Sequence, residues 1–204
     1  MAKPRFGFFK YSCCSGCEFE FIYFQRRILE TLQNFDFVFC RMVSSGGTPD
    51  GPFDLALVEG TVTESWQVDE LKKIRDQSRL LYAIGSCAVN GGIPAIKATV
   101  VEQEAEKRVY SDLSTIHSIR PHAIDAYVKI DGTIKGCPPG EPELHRVLAA
   151  VLLGQAPELI EYSVCVECKQ AGNICHGDEQ GGYRKKIHPI RSRYHRVPQG
   201  VGVL

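Results

Sequence analysis

The sequence predicts an α/β protein: a parallel sheet with helices on both faces. Three observations predict it. Five short apolar runs have strand length, segments of helical period lie between them, and Gly- and Pro-rich loops separate the pieces. At 204 residues, 44% of them hydrophobic and 24% charged, the chain is long enough to bury a core in one domain with a small appendage.

In chain order, the first expected strand is "RFGFF" (5–9), followed by a helix over 18–33. On that helix Phe21, Phe24, Ile28 and Leu32 recur at three- and four-residue steps, widened by Ile22 and Leu29. The second and third strands are "FDFVFC" (35–40) and "DLALVE" (54–59), with the Gly/Pro loop "SSGGTPDGPF" (44–53) between them. A helix over 64–78 then starts after Thr63 as N-cap and carries Trp66, Leu71 and Ile74. The fourth strand is "LLYAIG" (80–85), the loop "SCAVNGGIPA" (86–95) follows it, and the fifth strand is "AYVKID" (126–131). Over 141–153 the helical signal is clearest. Glu141 and Glu143 suit the positive N-terminus, Pro142 suits the first turn, and Leu144, Val147, Leu148, Val151 and Leu152 line one face before Gly154 closes the end. Past residue 160 the alternation stops. Residues 1–160 are therefore expected as the sheet domain, and 161–204 as a separate segment, first rich in Cys and then basic.

Formal net charge is zero, which argues against a nucleic-acid partner. Residues 176–204 hold six Lys/Arg against two acids, so an acidic body carries a basic tail. No stretch approaches the roughly 20 apolar residues of a membrane span, and the N-terminus does not read as a signal peptide, so a cytoplasmic protein is expected. In that compartment nine cysteines, an odd number, point to metal binding before disulfides.

The cysteines fall where ligands should be. Cys14 and Cys17 follow the first strand, Cys87 the fourth and Cys137 the fifth. Loops leaving the carboxyl ends of parallel strands gather at one edge of the sheet. Four thiolates from three such loops can hold one metal centre. Structural zinc takes its ligands in close pairs, whereas an iron–sulfur cubane tolerates scattered ones. Gly16, Gly85 and Gly136 sit beside these cysteines and let the main chain approach closely. Pro138 and Pro139 stiffen the last loop. Cys40 lies within an apolar strand and reads as a core thiol, and Cys13 as a core thiol or a spare ligand. Cys165, Cys168 and Cys175, in "CVECKQAGNIC", form a second metal pattern that is one ligand short of a cubane, with His176 adjacent. A zinc-stabilised binding protein and a flavin-binding flavodoxin are the non-cluster alternatives. The loop "SCCSGCE" is not the Ser/Thr/Gly-rich phosphate loop that a flavin prefers.

"CCSGCEFE", "VEGTVTE", "IGSCAVNGG" and "GCPPGEPE", in this order, resemble the small, electron-transferring subunit of nickel–iron hydrogenases. The resemblance is to the cytoplasmic kind related to the 20 kDa subunit of respiratory complex I, and it covers roughly residues 5–175. It implies a flavodoxin-like fold with a short cysteine-containing C-terminal segment. It also implies a proximal 4Fe–4S cluster on Cys14, Cys17, Cys87 and Cys137, and a nickel–iron centre in a partner large subunit. An electron-acceptor module (nicotinamide-, ferredoxin- or other acceptor-reducing) is the expected further partner. Glu18 would line the subunit interface or stand exposed at a helix start. The alternative within the superfamily is the complex I subunit itself, carrying a 4Fe–4S cluster for quinone reduction. That alternative is favoured by the tandem Cys13-Cys14 and opposed by the Cys165–Cys175 pattern. After Cys175 the chain departs from the hydrogenase pattern, which continues with further cysteines. A shifted coding frame and a shortened protein with a basic tail both account for this, and a second cluster on Cys165, Cys168 and Cys175 is expected to be incomplete.

Overall fold

The computed structural model describes residues 2–23, 33–43, 50–100, 104–155, 157, 166, 169–170 and 172. The chain divides into two compact units, Met1–Leu159 and Ile160–Leu204. In the first unit, strands β1 (Arg5–Lys10), β2 (Asp36–Cys40), β3 (Phe53–Glu59), β5 (Ser78–Ile84) and β7 (Gly132–Ile134) form one sheet, all neighbours parallel, in the order β2-β1-β3-β5-β7. Strands β4 (Val62–Glu64) and β6 (Ser118–His122) pair antiparallel in a small second sheet. With that pair set aside, the order is 2-1-3-4-5, that of flavodoxin-like folds, with its switch point between β1 and β3. The helices are α1 (Gly16–Tyr23), α2 (Ser65–Asp76), α3 (Gly85–Asn90), α4 (Glu104–Val109) and α5 (Glu141–Leu152), with 3-10 turns at Pro94–Thr99 and Ile124–Ala126.

The central strands are apolar throughout because both of their faces are covered. Phe6, Phe8, Leu55, Leu57, Tyr82 and Ile84 point to one side, where they meet Phe21 of α1 and Leu144, Val147, Leu148 and Val151 of α5. Phe9, Ala56, Val58, Leu81 and Ala83 point to the other, against Leu71 and Ile74 of α2 and Ala88 of α3. Helices on both faces follow directly from this alternation.

Three expectations change. The apolar run 126–131 is not a strand. Ile124 and Val128 both turn into the α2/α3 side of the core, and Asp131 exchanges backbone and side-chain hydrogen bonds with Leu81, so that pairing begins only at Gly132. Helix α2 starts at Ser65 with Glu64 rather than Thr63 as its N-cap, and Gln67 accepts hydrogen bonds from the N–H groups of Thr63 and Glu64 (2.7 and 3.1 Å). Trp66 is 55% exposed, because Gln67 rather than its neighbour faces inward there. The pairing of β4 with β6 had no signal, since both strands are short and partly polar. For the helix over 18–33, α1 accounts for the first part, and Phe24 to Leu32 lie outside the described residues.

Glu106 of α4 fastens this outer region. It pairs with Lys97 and accepts a hydrogen bond from Ser118 (2.7 Å), and these contacts lower its carboxyl from 4.5 to about 2. A carboxylate held below its unfolded value contributes stability above that value and loses it as pH falls through the folded one. The stability difference between the parent and Glu106→Gln should therefore be full at neutral pH and shrink between about pH 4.5 and 2, as read by denaturant unfolding at a series of pH values. A constant difference across that range would show that the pair contributes nothing.

Candidate metal centre

The three cysteine-bearing loops leave the carboxyl ends of β1, β5 and β7; the last two are bonded directly, and the first meets them through Thr61 and the Cys17 side chain. At β1 the chain runs out as Tyr11-Ser12-Cys13-Cys14-Ser15. Ser12 and Thr61 exchange backbone hydrogen bonds (3.2 and 2.9 Å), and the hydroxyls of Ser12 and Thr63 lie 2.5 Å apart. Ser15 takes a left-handed conformation (φ 63°), and its carbonyl receives the Phe19 N–H, so α1 begins at once and carries Cys17 in its first turn. A non-Gly residue in this region marks a backbone held in place by its surroundings.

Gly85, where β5 passes into α3, has φ 81°, and a Cβ there would run into the Cys17 sulfur. That glycine lets the Cys17 side chain lie directly on the second loop. Ser86 then donates both its N–H (2.8 Å) and its hydroxyl (3.0 Å) to the Gly136 carbonyl, joining the Cys87 helix to the loop that carries Cys137. A Cβ at Gly92 would approach the Cys87 sulfur to 2.7 Å. Of the three glycines singled out in the sequence, Gly85 is thus required by the approach of a sulfur, whereas a Cβ at Gly136 would meet the main chain of Pro138 and Pro139 and one at Gly16 would stand 3.2 Å from the Cys14 sulfur.

Cys14 and Cys137 are exposed, while Cys13, Cys17 and Cys87 are partly buried. The thiols feel one another. Burial, then the neighbouring Cys137 and Cys14, pushes the Cys87 thiol up, and burial, Glu59, Cys13 and Cys87 do so for Cys17. Cys13 is pushed up to about 12, chiefly by burial, and its sulfur accepts the Ser15 N–H at 3.3 Å. Cys13 is therefore part of this edge rather than of the core. Cys40 is the core thiol: it is 1% exposed and donates to Glu18 at 3.3 Å.

Among the described residues no three Cys, His, Asp or Glu side chains close around a single metal ion. Neighbouring soft sulfur donors whose partly buried thiols are pushed up by burial and by one another are chemically suited to a thiophilic metal group, which would displace their protons on binding. Cys165, Cys168, Cys175 and His176 lie outside the described residues.

Two buried carboxylates underlie the cysteine edge, and neither has a role readable from the sequence. Glu59, the last residue of β3, is fully buried. Its Oε2 accepts the Glu18 N–H (3.2 Å), and burial pushes its carboxyl up against the downward pull of that N–H and of the Cys13 and Cys17 thiols. Glu18 is also fully buried, which corrects the expectation of an exposed helix start or an interface residue. It pairs with Lys10 (3.1 Å) and accepts the Met42 N–H (3.2 Å) and the Cys40 thiol. The one available signal for Glu59 was an acid closing an otherwise apolar strand, just before a glycine.

Residues 14–151 match the family model described as the 20 Kd subunit of NADH ubiquinone oxidoreductase. The chain belongs to this family. Proteins similar to it include the sulfhydrogenase 2 subunit delta of Pyrococcus furiosus, 30% identical over 81% of this chain and 69% of the relative. The vhu G polypeptide of the F420-non-reducing hydrogenase of Methanocaldococcus jannaschii is also 30% identical, over 76% of this chain and 58% of the relative. The matched part of this family member thus spans 58% to 69% of the length of these two relatives. Among solved structures, a chain of an NAD+-reducing nickel–iron hydrogenase in the H2-reduced state aligns with TM-score 0.68 and 26% identity, covering 78% of this chain and 97% of that one. The resemblance read from the four cysteine and glycine motifs and the α/β fold both hold. Among the described residues no helix is long and apolar enough to cross a membrane.

Proposed function

We propose that this chain is the electron-transfer small subunit of a nickel–iron hydrogenase, working in the cytoplasm. The observation that supports the reading is that Cys14, Cys17, Cys87 and Cys137 lie on three adjoining loops at the carboxyl edge of the sheet, in a chain whose relatives are hydrogenase delta and G polypeptides. These four thiolates would hold a 4Fe–4S cluster. That group, when bound, supplies reversible one-electron transfer. The polypeptide supplies its position, a partly buried setting, and main-chain groups close to the sulfurs. Cleavage of dihydrogen would take place at a nickel–iron centre in the partner large subunit, and an acceptor module would receive the electrons. Cys165, Cys168 and Cys175 would bind a second, incomplete cluster or complete one with an outside ligand.

The complex I reading is the second one. It draws on the family's own description and on Cys13, whose place beside Cys17 and Cys87 fits a tandem-cysteine site. The hydrogenase names of the relatives favour the first. Anaerobic purification of the chain with its partners tests both. A brown protein with about four irons and as much acid-labile sulfide per cluster, co-eluting with a nickel-containing subunit, is the expected result. A colourless zinc protein or a yellow flavin protein would end the proposal, and iron without a nickel partner would favour the second reading.

A further inference from the structure

The "VEGTVTE" stretch matches the family pattern, yet none of its side chains is among the proposed ligands. From its contacts we infer that Thr61 is a positioning residue that sets the distance between the Cys13–Cys17 loop and the Cys87 helix. This rests on the reading that Cys87 holds the cluster. Thr61 is fully buried. Its hydroxyl lies 2.6 Å from the Gly91 carbonyl and 3.0 Å from the Cys87 carbonyl, so its one hydrogen is shared between the last turn of α3 and the cap that closes it. Its own N–H and C=O are both bonded to Ser12, one residue before the tandem cysteines. One residue thereby grips both loops, with its main chain on one and its side chain on the other.

The neighbours serve the same geometry. Gly60 has φ 94°, and a Cβ there would come within 2.7 Å of the Tyr11 carbonyl carbon, so the turn closes against β1 only without a side chain. Ser12 and Thr63 add the hydroxyl contact beside it. Helix α3 has only six residues and cannot hold its own position. Its end is closed by Gly91, whose N–H bonds the same Cys87 carbonyl that the Thr61 hydroxyl approaches. Removing that hydroxyl leaves the Gly91 carbonyl with only the longer bond from the Ala95 N–H (3.2 Å) and lets α3, with Cys87, shift relative to Cys14 and Cys17.

The experiment compares the full chain, purified anaerobically with its cluster, as parent, Thr61→Val and Thr61→Ser. The readouts are the rate at which a ferrous chelator strips iron and the EPR spectrum after dithionite reduction. Thr61→Val, similar in shape but without the donor, is expected to lose iron about five-fold faster or more and to show a shifted or broadened signal, while Thr61→Ser stays at the parent's rate and spectrum. Should the Val chain fail to fold, Thr61→Ala against Thr61→Ser isolates the hydroxyl at similar volume, with the faster loss expected for Ala. Hydroxyl-free variants that match the parent in both readouts overturn the inference while leaving the function proposal standing. So does a Ser variant that loses iron as fast as Val or Ala, because packing and not the hydrogen bond would then be responsible. A parent chain that binds no iron overturns both.

Discussion

Cys87→Ala is expected to leave a folded chain that holds no complete cluster at the β1–β5–β7 edge. Iron per chain should fall by the equivalent of one cluster, and dihydrogen-dependent reduction of the electron acceptor should fall to background. Alanine is the best helix former, so α3 should survive the change, and Ala88, the buried anchor of that helix, is untouched. What disappears is one corner of the donor set, for which no other described side chain substitutes except Cys13, the thiol beside it. Provided that the complex still assembles, hydrogen isotope exchange should persist, because bond cleavage belongs to the proposed partner and only the path out is cut. Iron and sulfide analysis, acceptor reduction and isotope exchange on the same preparation separate these effects. A Cys87→Ala complex with its full iron content would sink the ligand assignment, and the added substitution Cys13→Ala would then show whether Cys13 had taken the place.

The second large effect is structural. Glu18→Ala removes the acceptor shared by Lys10, Met42 and Cys40 at a site with no access to water. The Met42 N–H and the Cys40 thiol lose their hydrogen bonds. Lys10 is only partly compensated, because its side chain keeps 26% exposure and can rehydrate. Breaking a buried ionic contact from one side is costly for this reason, and the expected loss is roughly 3 kcal/mol, or about 10 °C in Tm for a domain of this size. Glu18→Gln should lose less, since it keeps an oxygen for Met42 but not the charge for Lys10. Thermal and urea unfolding of the purified chain measure both. A change below about 0.5 kcal/mol, the range of ordinary surface substitutions, would mean that Glu18 is not an anchor of α1.

The fit between sequence and structure is uneven, and the pattern has physical causes. Strands β1, β2, β3 and β5 were readable because a strand buried on both faces must be apolar at nearly every position. The run at 126–131 has the same composition for a different reason, since Val128, Tyr127 and Ile130 pack on the core without pairing as a strand. Composition reports burial, and burial does not require a strand. The same limit explains Trp66 and Gln67. Helical spacing tells which residues share a face, but only the capping geometry at Thr63 and Glu64 turns Gln67 inward.

By itself the sequence determined the fold class and the loops from which metal-binding sulfur would come. Strand burial and the reach of a loop leaving a strand end are local properties that a single chain segment expresses. The tertiary structure alone decided that Glu18 and Glu59 lie in the interior, that Cys13 belongs to the cysteine edge, and that Thr61 joins two of its loops. Each depends on contacts between residues far apart in the chain, such as Glu18 with Glu59 and Thr61 with Cys87. No local pattern encodes a contact whose partner is brought near only when the sheet has been wound.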